Sequence, residues 1–238
     1  CMLTVDFDYF DLQPGNVLVD LGCGEGRHSL TAYLQDDVMV IGLDLSYQDL
    51  KTAQSRIADM ASSNPKGSVC FGQANGLSLP LADHSVDRLI CSEVLEHIPN
   101  YIGFLEEIDR VLKPDGRLCI SVPRGWPERV CWSLCDAYRR TPGGHIRIFN
   151  VLHLSREVQR YKLAETRRHG AHALHVPYWW LKCLFWHAET EPFILKWYHR
   201  LLVWDLIERP WLTRAIEAVT NPWMGKSVVL YFDRLQKG

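Results

Sequence analysis

The stretch Val17-Leu18-Val19-Asp20-Leu21-Gly22-Cys23-Gly24-Glu25-Gly26 decides the fold of this 238-residue chain. It begins as a mainly apolar run, typical of a buried strand, and continues with three glycines at alternate positions. Glycine lets a backbone turn tightly and approach a ligand without a Cβ in the way. The stretch therefore predicts a strand that ends in a ligand-binding turn, at the carboxyl edge of a sheet.

Outward from this turn, short apolar runs alternate with helical patterns. Four more strands are predicted in the first half of the chain, at 38–43, 68–73, 86–91 and 117–122. Helices are predicted between them at 29–34, 47–62 and 101–112, and 113–116 is predicted to be a turn. Such alternation indicates a parallel sheet built from βαβ units. A helix is predicted at 154–160, a sixth strand within 163–174 and a last strand at 227–232, so the chain is expected to be an α/β protein with a seven-stranded, mostly parallel sheet.

Composition excludes several classes of protein. With 47% hydrophobic and 23% charged residues, the chain is neither disordered, collagen-like nor a coiled coil. A net charge of −2 argues against a dedicated nucleic-acid binder. No apolar stretch approaches the about 18–20 residues that span a bilayer, and the first residues lack a signal-peptide pattern. Eight cysteines without a Cys-x-x-Cys motif favour reduced thiols, and hence a cytoplasmic protein.

Three details distinguish the glycine turn from a dinucleotide-binding loop. The dinucleotide pattern requires a third glycine or an alanine where this chain has Arg27. Asp20 lies two residues before Gly22, where a carboxylate can meet an ammonium group. Asp44 ends the second strand and suits the two hydroxyls of a ribose. The alternative is that Asp44 or Ser46 caps the helix that follows.

With four later blocks, the turn resembles the class I S-adenosylmethionine-dependent methyltransferases, in the broad small-molecule group that includes quinone-biosynthesis enzymes. The four later blocks that resemble this family are Leu43-Asp44, an adenine loop at 74–81, the fourth strand and following helix at 86–98, and the turn at 112–117. The resemblance covers roughly residues 15–125. It implies a doubly wound, Rossmann-like fold in one domain, 1–238, with a cofactor-binding half (1–125) and a substrate-binding half (126–238).

The resemblance also implies S-adenosylmethionine as cofactor and S-adenosylhomocysteine as product. The implied cofactor-binding residues are Asp20, Gly22, Cys23, Gly24, Arg27, His28, Asp44, Leu45, Ala74, Asn75, Gly76, Cys91 and Ser92. Asp20 and the backbone of the turn would hold the methionine moiety, Asp44 the ribose and Asn75 the adenine. Asn75 departs from the Asp usual in this family, but its amide oxygen can still accept the adenine amino hydrogen.

Methyl transfer from a sulfonium is a direct displacement on carbon, so the protein must supply geometry and, for a weakly acidic nucleophile, a base. His97 and His145 are the candidate bases, because histidine takes a proton near neutral pH. For each, the alternative is a structural role at the pocket. Alternation within 143–149 places His145, Arg147 and Phe149 on one face. No metal is expected, because the methyl is already activated and the histidines show no metal-ligand spacing.

The segment 178–222 is predicted to be an aromatic-rich helical insertion before the last strand. Seven of the nine tryptophans lie between Trp179 and Trp223, and the spacing of apolar residues predicts a stripe of Ile194, Trp197, Tyr198, Leu201 and Leu202. Three roles remain open: a cap over the active site, a homodimer interface, or peripheral membrane contact with tryptophan at headgroup depth.

The expected function is methyl transfer to a small acceptor of lipophilic or aromatic character. The alternatives are an RNA or protein acceptor, or a non-catalytic cofactor-binding relative. The basic stretch from Arg139 to Arg168 could meet an anionic substrate or RNA, but it also suits a solvated surface that balances the acidic first half. A nucleic-acid partner is disfavoured, because the net charge is not basic.

Overall fold

The structure is a computed structural model that describes residues 3–35, 37–60, 65–141 and 143–235. Within those residues, seven strands form one sheet. They are β1 (Val17–Leu21), β2 (Met39–Asp44), β3 (Ser68–Gln73), β4 (Val86–Ser92), β5 (Leu112–Pro123), β6 (Leu163–Ala171) and β7 (Ser227–Arg234). Their order across the sheet is β3-β2-β1-β4-β5-β7-β6. Only β7 runs antiparallel to its neighbours, β5 and β6, so the predicted mostly parallel, doubly wound sheet is confirmed.

Helices connect the strands. They are α1 (Phe7–Phe10), α2 (Arg27–Gln35), α3 (Tyr47–Met60), α4 (Tyr101–Val111), α5 (Gly125–Leu134), α6 (Asp136–Arg139), α7 (Val151–Gln159), α8 (His175–Leu184), α9 (Phe193–Glu208) and α10 (Trp211–Met224). A short 3-10 helix, Leu95–His97, follows β4. The predicted end of the third helix, at residue 62, lies outside the described residues. No helix in the described ranges is long and apolar enough to cross a membrane.

Both faces of the sheet are buried, which explains why its strands read as nearly continuous apolar runs. Successive residues of a strand point to opposite faces, and here Val19 and Leu18 belong to two different core clusters. The stripe of α4 that contains Leu105 and Ile108 packs into the first cluster. The core thus fixes the strand ends, where the glycine turn lies.

The predicted turn at 113–116 is absorbed into β5 and is wrong as a separate element. Val86 of β4 pairs with Leu112, but Arg88, two residues later, pairs with Arg117. Four residues of β5, 113–116, therefore stand opposite the single residue Asp87 of β4, and the extra residues bulge out of the ladder. The turn-forming sequence Lys113-Pro114-Asp115-Gly116 makes this bulge rather than a connection between helix and strand.

The aromatic-rich segment folds as α8, α9 and α10, but its buried face differs from the predicted stripe. In α9 the buried residues are Leu195 and Leu202, and the Tyr198 hydroxyl donates to the Leu174 carbonyl. Ile194 and Trp197 are 43% and 50% exposed. The predicted stripe is therefore buried only in part, at Leu202 and partly at Tyr198 and Leu201. The reason is that α9 is apolar on several sides, and periodicity does not say which side meets the protein.

Candidate active site

A cavity of about 540 Å³ opens at the carboxyl ends of β1, β2 and β4. It lies where the strand order reverses, with β1 between β2 and β4, which is the place where open α/β sheets bind ligands. Its volume suits a nucleoside-sized ligand. Six of the predicted cofactor residues line it: Gly22, Asp44, Leu45, Ala74, Asn75 and Gly76.

The glycine turn has the geometry that its sequence predicts. Gly22, Gly24 and Gly26 have φ values of 76°, 51° and 80°, a region that glycine occupies at no steric cost. A Cβ on Gly22 would lie 2.3 Å from Cγ2 of Val94. The Gly22 and Cys23 amides donate to the Leu43 carbonyl at 2.7 and 3.1 Å, so the turn is joined directly to the end of β2.

Asp44 is held at the rim of the cavity by two backbone donors. Its Oδ2 accepts from the Gly24 amide at 2.8 Å and its Oδ1 from the Ser46 amide at 2.7 Å. The cap of α3 is Ser46, whose Oγ accepts from the Asp49 amide. Each carboxylate oxygen of Asp44 can accept further hydrogen bonds. Asp44 thus presents a fixed pair of acceptors to the cavity.

The other end of the cavity suits a flat base. Leu45 and Leu77 line it and are 61% and 40% exposed, so two apolar surfaces are open to a ligand. Oδ1 of Asn75 accepts from the Leu77 amide at 3.0 Å, which fixes the orientation of the side-chain amide. At Gly76 the backbone runs close to the Phe104 ring, and a Cβ there would lie 2.0 Å from it.

Asp20 does not face the cavity, contrary to its predicted contact with the methionine moiety. Its side chain is 1% exposed, and its Oδ2 accepts from the Ser29 hydroxyl at 2.6 Å and the Ser29 amide at 3.1 Å. Burial raises the pKa of Asp20 to about 6, although the bonds from Ser29 oppose this. The carboxylate therefore anchors β1 to the first turn of α2, where a helix favours negative charge.

Other predicted cofactor residues also lie behind the turn. His28 is buried, and its Nε2 accepts from the Thr4 amide, so it holds the amino-terminal segment. Arg27 donates to the Ser92 hydroxyl, which in turn bonds Ser121. Cys23 and Cys91 are buried apolar neighbours of the strand ends. Within the described residues, these five side chains do not line the cavity, and they support the turn instead.

The structure brings the two candidate bases together. The rings of His97 and His145 lie 5.1 Å apart, and His97 lines the cavity. The predicted extended face of 143–149 is wrong, because the described part of this segment is not a strand. His145 instead turns toward Glu128 of α5, at 2.7 Å, while Arg147 lies over the Tyr101 ring.

Sequence reasoning missed Glu128. This glutamate is 4% exposed and sits on the inner face of α5, where it also accepts from the Tyr138 hydroxyl and the Trp132 indole. A glutamate one helical turn before Cys131, on the apolar side of α5, was the available signal. Its partners come from other elements, so the sequence spacing alone could not identify them.

Comparison with known proteins agrees with this geometry. A family model described as a methyltransferase domain matches residues 19–120. Methyltransferase GfsG of Streptomyces halstedii is 30% identical over 134 residues, 56% of this chain and 47% of that protein. The 27-O-demethylrifamycin SV methyltransferase of Amycolatopsis mediterranei is 34% identical over 110 residues, 46% of this chain and 39% of that protein. The matched stretch thus spans less than half of each relative.

A solved structure extends the likeness of the fold to the whole chain. A SAM-dependent methyltransferase from Methanosarcina mazei superposes with a TM-score of 0.66 at 16% identity, covering 99% of this chain and 100% of that one. The fold is that of the class I, Rossmann-like methyltransferase structures. Residues 19–120 are similar to a methyltransferase domain, and the comparisons together support a class I S-adenosylmethionine-dependent methyltransferase with S-adenosylmethionine as its cofactor.

The buried position of Asp20 predicts a pH dependence of stability. Because its pKa is higher in the folded than in the unfolded chain, the stabilising protonated form is lost as the pH rises from about 4 to about 6. Relative to Asp20→Asn, the free energy of unfolding of the parent should fall by at most about 3 kcal/mol across this window. Denaturant unfolding at several pH values measures it, with the exposed Asp115→Asn as control. A constant difference between parent and Asp20→Asn would contradict the prediction.

Gly76→Ala should weaken cofactor binding, because the new methyl group needs the space of the Phe104 ring, which also lines the cavity. Gly72→Ala is the matched control, since its nearest neighbour would lie at 3.5 Å, an ordinary contact. Calorimetric titration with S-adenosylhomocysteine and thermal unfolding compare the two. Equal affinities in both variants would show that the close approach at Gly76 does not shape the site.

Proposed function

We propose that this chain transfers the methyl group of S-adenosylmethionine to an oxygen of a small lipophilic or aromatic acceptor. The observation that carries the proposal is the continuity of the cofactor cavity with the histidine pair. His97 belongs to this pair and also lines the cofactor cavity, and Glu93 lines the same cavity. The name of the rifamycin relative, an enzyme of O-methylation, supports oxygen as the methyl acceptor.

The cofactor-binding part of the proposal rests on Asp44 and Asn75. Asp44 offers its two oxygens to the ribose hydroxyls, and both are already oriented by backbone donors. Asn75 offers its amide to the adenine edge, while Leu45 and Leu77 cover the base. When bound, the cofactor supplies a methyl group on a positively charged sulfur. The protein then needs only to place the acceptor and accommodate its proton.

His97 is the residue that we place next to the acceptor. Its Nδ1 faces the Gly144 carbonyl at 3.1 Å; since a carbonyl only accepts, Nδ1 carries the proton and Nε2 is the basic position. Burial and the neighbouring His145 lower the pKa of His97. The imidazole is therefore neutral at pH 7 and can interact with an acceptor hydroxyl through Nε2.

An aromatic wall supports the lipophilic character of the acceptor. From His145 it continues through Tyr138, whose ring lies 6.5 Å from the His145 ring, to Trp179 and Trp186, both 5.9 Å from Tyr138. These residues belong to α6, α8 and the segment after α8, so the predicted insertion adjoins the histidine pair. This supports its role as a cap over the substrate half.

The outer face of the insertion is unusually apolar. Phe193, Ile207 and Trp211 are 79%, 70% and 78% exposed. Isolated surface hydrophobic residues are ordinary, whereas large apolar patches mark contact surfaces. The homodimer interface and the peripheral membrane contact both stay predictions for this face.

Asp44→Ala should raise the dissociation constant of S-adenosylhomocysteine by about 5- to 150-fold, which corresponds to about 1–3 kcal/mol for lost hydrogen bonds to a charged group. Isothermal titration calorimetry measures it. Asp115→Ala removes an exposed carboxylate at the β5 bulge and should leave the constant unchanged. An unaltered constant in Asp44→Ala would refute the ribose role, and tighter binding of NAD than of S-adenosylhomocysteine would refute the cofactor assignment.

A labelled-methyl assay tests the acceptor. With radiolabelled S-adenosylmethionine and a fractionated cell extract, the label should enter small molecules that partition into organic solvent. Asp44→Ala at subsaturating cofactor serves as the control for enzyme-dependent transfer. Label confined to RNA or protein would overturn the small-molecule acceptor, and cofactor binding without any transfer would overturn catalysis.

A further inference from the structure

Glu96, next to the cofactor cavity, carries a carboxylate with no visible partner. It is 0% exposed, and both of its carboxylate oxygens lack a hydrogen-bond donor among the described residues. Burial of an unpaired carboxylate is costly, and proteins normally offset it with a cation or with donors. Some positively charged species is the natural complement of this group.

The two histidines present their basic nitrogens to this carboxylate. Oε1 of Glu96 lies 3.9 Å from Nε2 of His97 and 3.9 Å from Nε2 of His145. These distances are too long for hydrogen bonds. They exceed by about 0.5 Å the about 3.4 Å between ligands of a tetrahedral ion with 2.1 Å bonds, so binding requires only a small closure of the side chains. All three ligand atoms lie within 4.8 Å of one another.

The other nitrogen of each imidazole is already committed. Nδ1 of His97 faces the Gly144 carbonyl at 3.1 Å, and Nδ1 of His145 faces Oε1 of Glu128 at 2.7 Å. The Glu128 carboxylate also accepts from the Tyr138 hydroxyl and the Trp132 indole, so it acts as an acceptor here. Both Nδ1 atoms therefore carry protons, and both Nε2 lone pairs face Glu96. A histidine that donates from one nitrogen to a carbonyl or carboxylate and offers the other is the usual arrangement at metal sites.

We propose that Glu96, His97 and His145 bind a divalent transition-metal ion at the edge of the cofactor cavity, with Glu128 as a positioning residue for His145. Two imidazoles and a carboxylate suit Zn²⁺, Co²⁺ or Fe²⁺ better than Mg²⁺ or Ca²⁺, which prefer oxygen ligands. His97 is 35% exposed, whereas Glu96 is closed off. The open coordination positions thus lie on the His97 side, toward the cavity.

This inference rests on the proposed function for the ion's role. An ion at this position binds the acceptor oxygen and lowers the pKa of its hydroxyl, whose proton passes to water. The new oxygen–carbon bond forms as the carbon–sulfur bond breaks, and that electron pair leaves with sulfur as a neutral thioether. The Nε2 atom of His97 then holds the ion instead of taking the proton. The expectation of no metal rested on spacing along the sequence, which could not consider this set, because His97 ends the 3-10 helix after β4 and His145 lies in the segment after α6.

A second cluster, His172, His175 and Glu217, offers a matched comparison within the same chain. Its ligand atoms also lie within 4.8 Å of one another. Nε2 of His172, Nδ1 of His175 and Oε1 of Glu217 are buried without partners in the described part of the chain. Because it lies outside the lining of the cofactor cavity, its variants separate the proposed site from general metal affinity.

The test is a titration of the chelator-stripped protein with Co²⁺, followed by visible ligand-field absorption, without cofactor or acceptor. One Co²⁺ should bind and be displaced by Zn²⁺. Glu128→Gln should weaken binding by about 10- to 100-fold, the usual effect of losing an outer hydrogen-bond partner. Glu96→Gln, His97→Ala and His145→Ala should each weaken it by more than this, whereas the double variant His172→Ala/His175→Ala should bind as the parent does.

Three results would overturn the site: no ligand-field bands in the parent, unchanged binding in the three ligand variants, or loss confined to the double variant.

A measurement on the parent alone guards against variants that do not fold. Nitrogen-15 NMR should show Zn²⁺ shifting the Nε2 signals of two histidines while their Nδ1 atoms stay protonated, and unshifted signals would refute the site. Calorimetry with S-adenosylhomocysteine, run on the same samples, reports the cofactor cavity separately, so failure of the methyltransferase proposal is distinguishable.

Discussion

The structure of the site depends on the hydrogen bond between the Gly24 amide and the Asp44 carboxylate. This bond ties the turn after β1 to the end of β2, and the adjacent bonds from the turn to the Leu43 carbonyl reinforce it. A backbone donor can approach so closely only because the turn is made of glycines with positive φ. The rim of the cavity is therefore built before any ligand arrives, which reduces the ordering that binding requires.

Acidic side chains around this rim differ in whether they face the protein or the cavity. Asp20, behind the turn, is satisfied by Ser29 and serves the fold, whereas Asp44, in front of it, remains available to a ligand. On the far side of the cavity, Glu96 has neither arrangement, since it is buried and has no hydrogen-bond donor within the described ranges. The contrast between these three acids shows how similar side chains at strand ends take different roles according to the donors around them.

Much of the fold and part of the site could be predicted from the sequence. Val17–Leu21 and the glycines after it specify a strand and a tight turn through local chemistry. The position of Asp44 beside the turn could also be predicted, because one βα unit brings the end of β2 next to the end of β1. The inward orientation of Asp20 could not be predicted, because it depends on Ser29 being in the first turn of α2. The bulge at 113–116 was missed because a turn sequence looks the same in a connection and in a strand.

The sequence by itself determined the parallel sheet, the position of the cofactor cavity and the resemblance to the methyltransferases, since all three follow from short patterns in which neighbours along the chain act together. Only the tertiary structure decided which groups meet across loops. Glu96 and His145 come together because the segment after α6 folds back on the end of β4, where the Ile146 amide donates to the Glu96 carbonyl. Contacts of this kind are selected by the packing of distant elements, and no periodicity or local propensity encodes them.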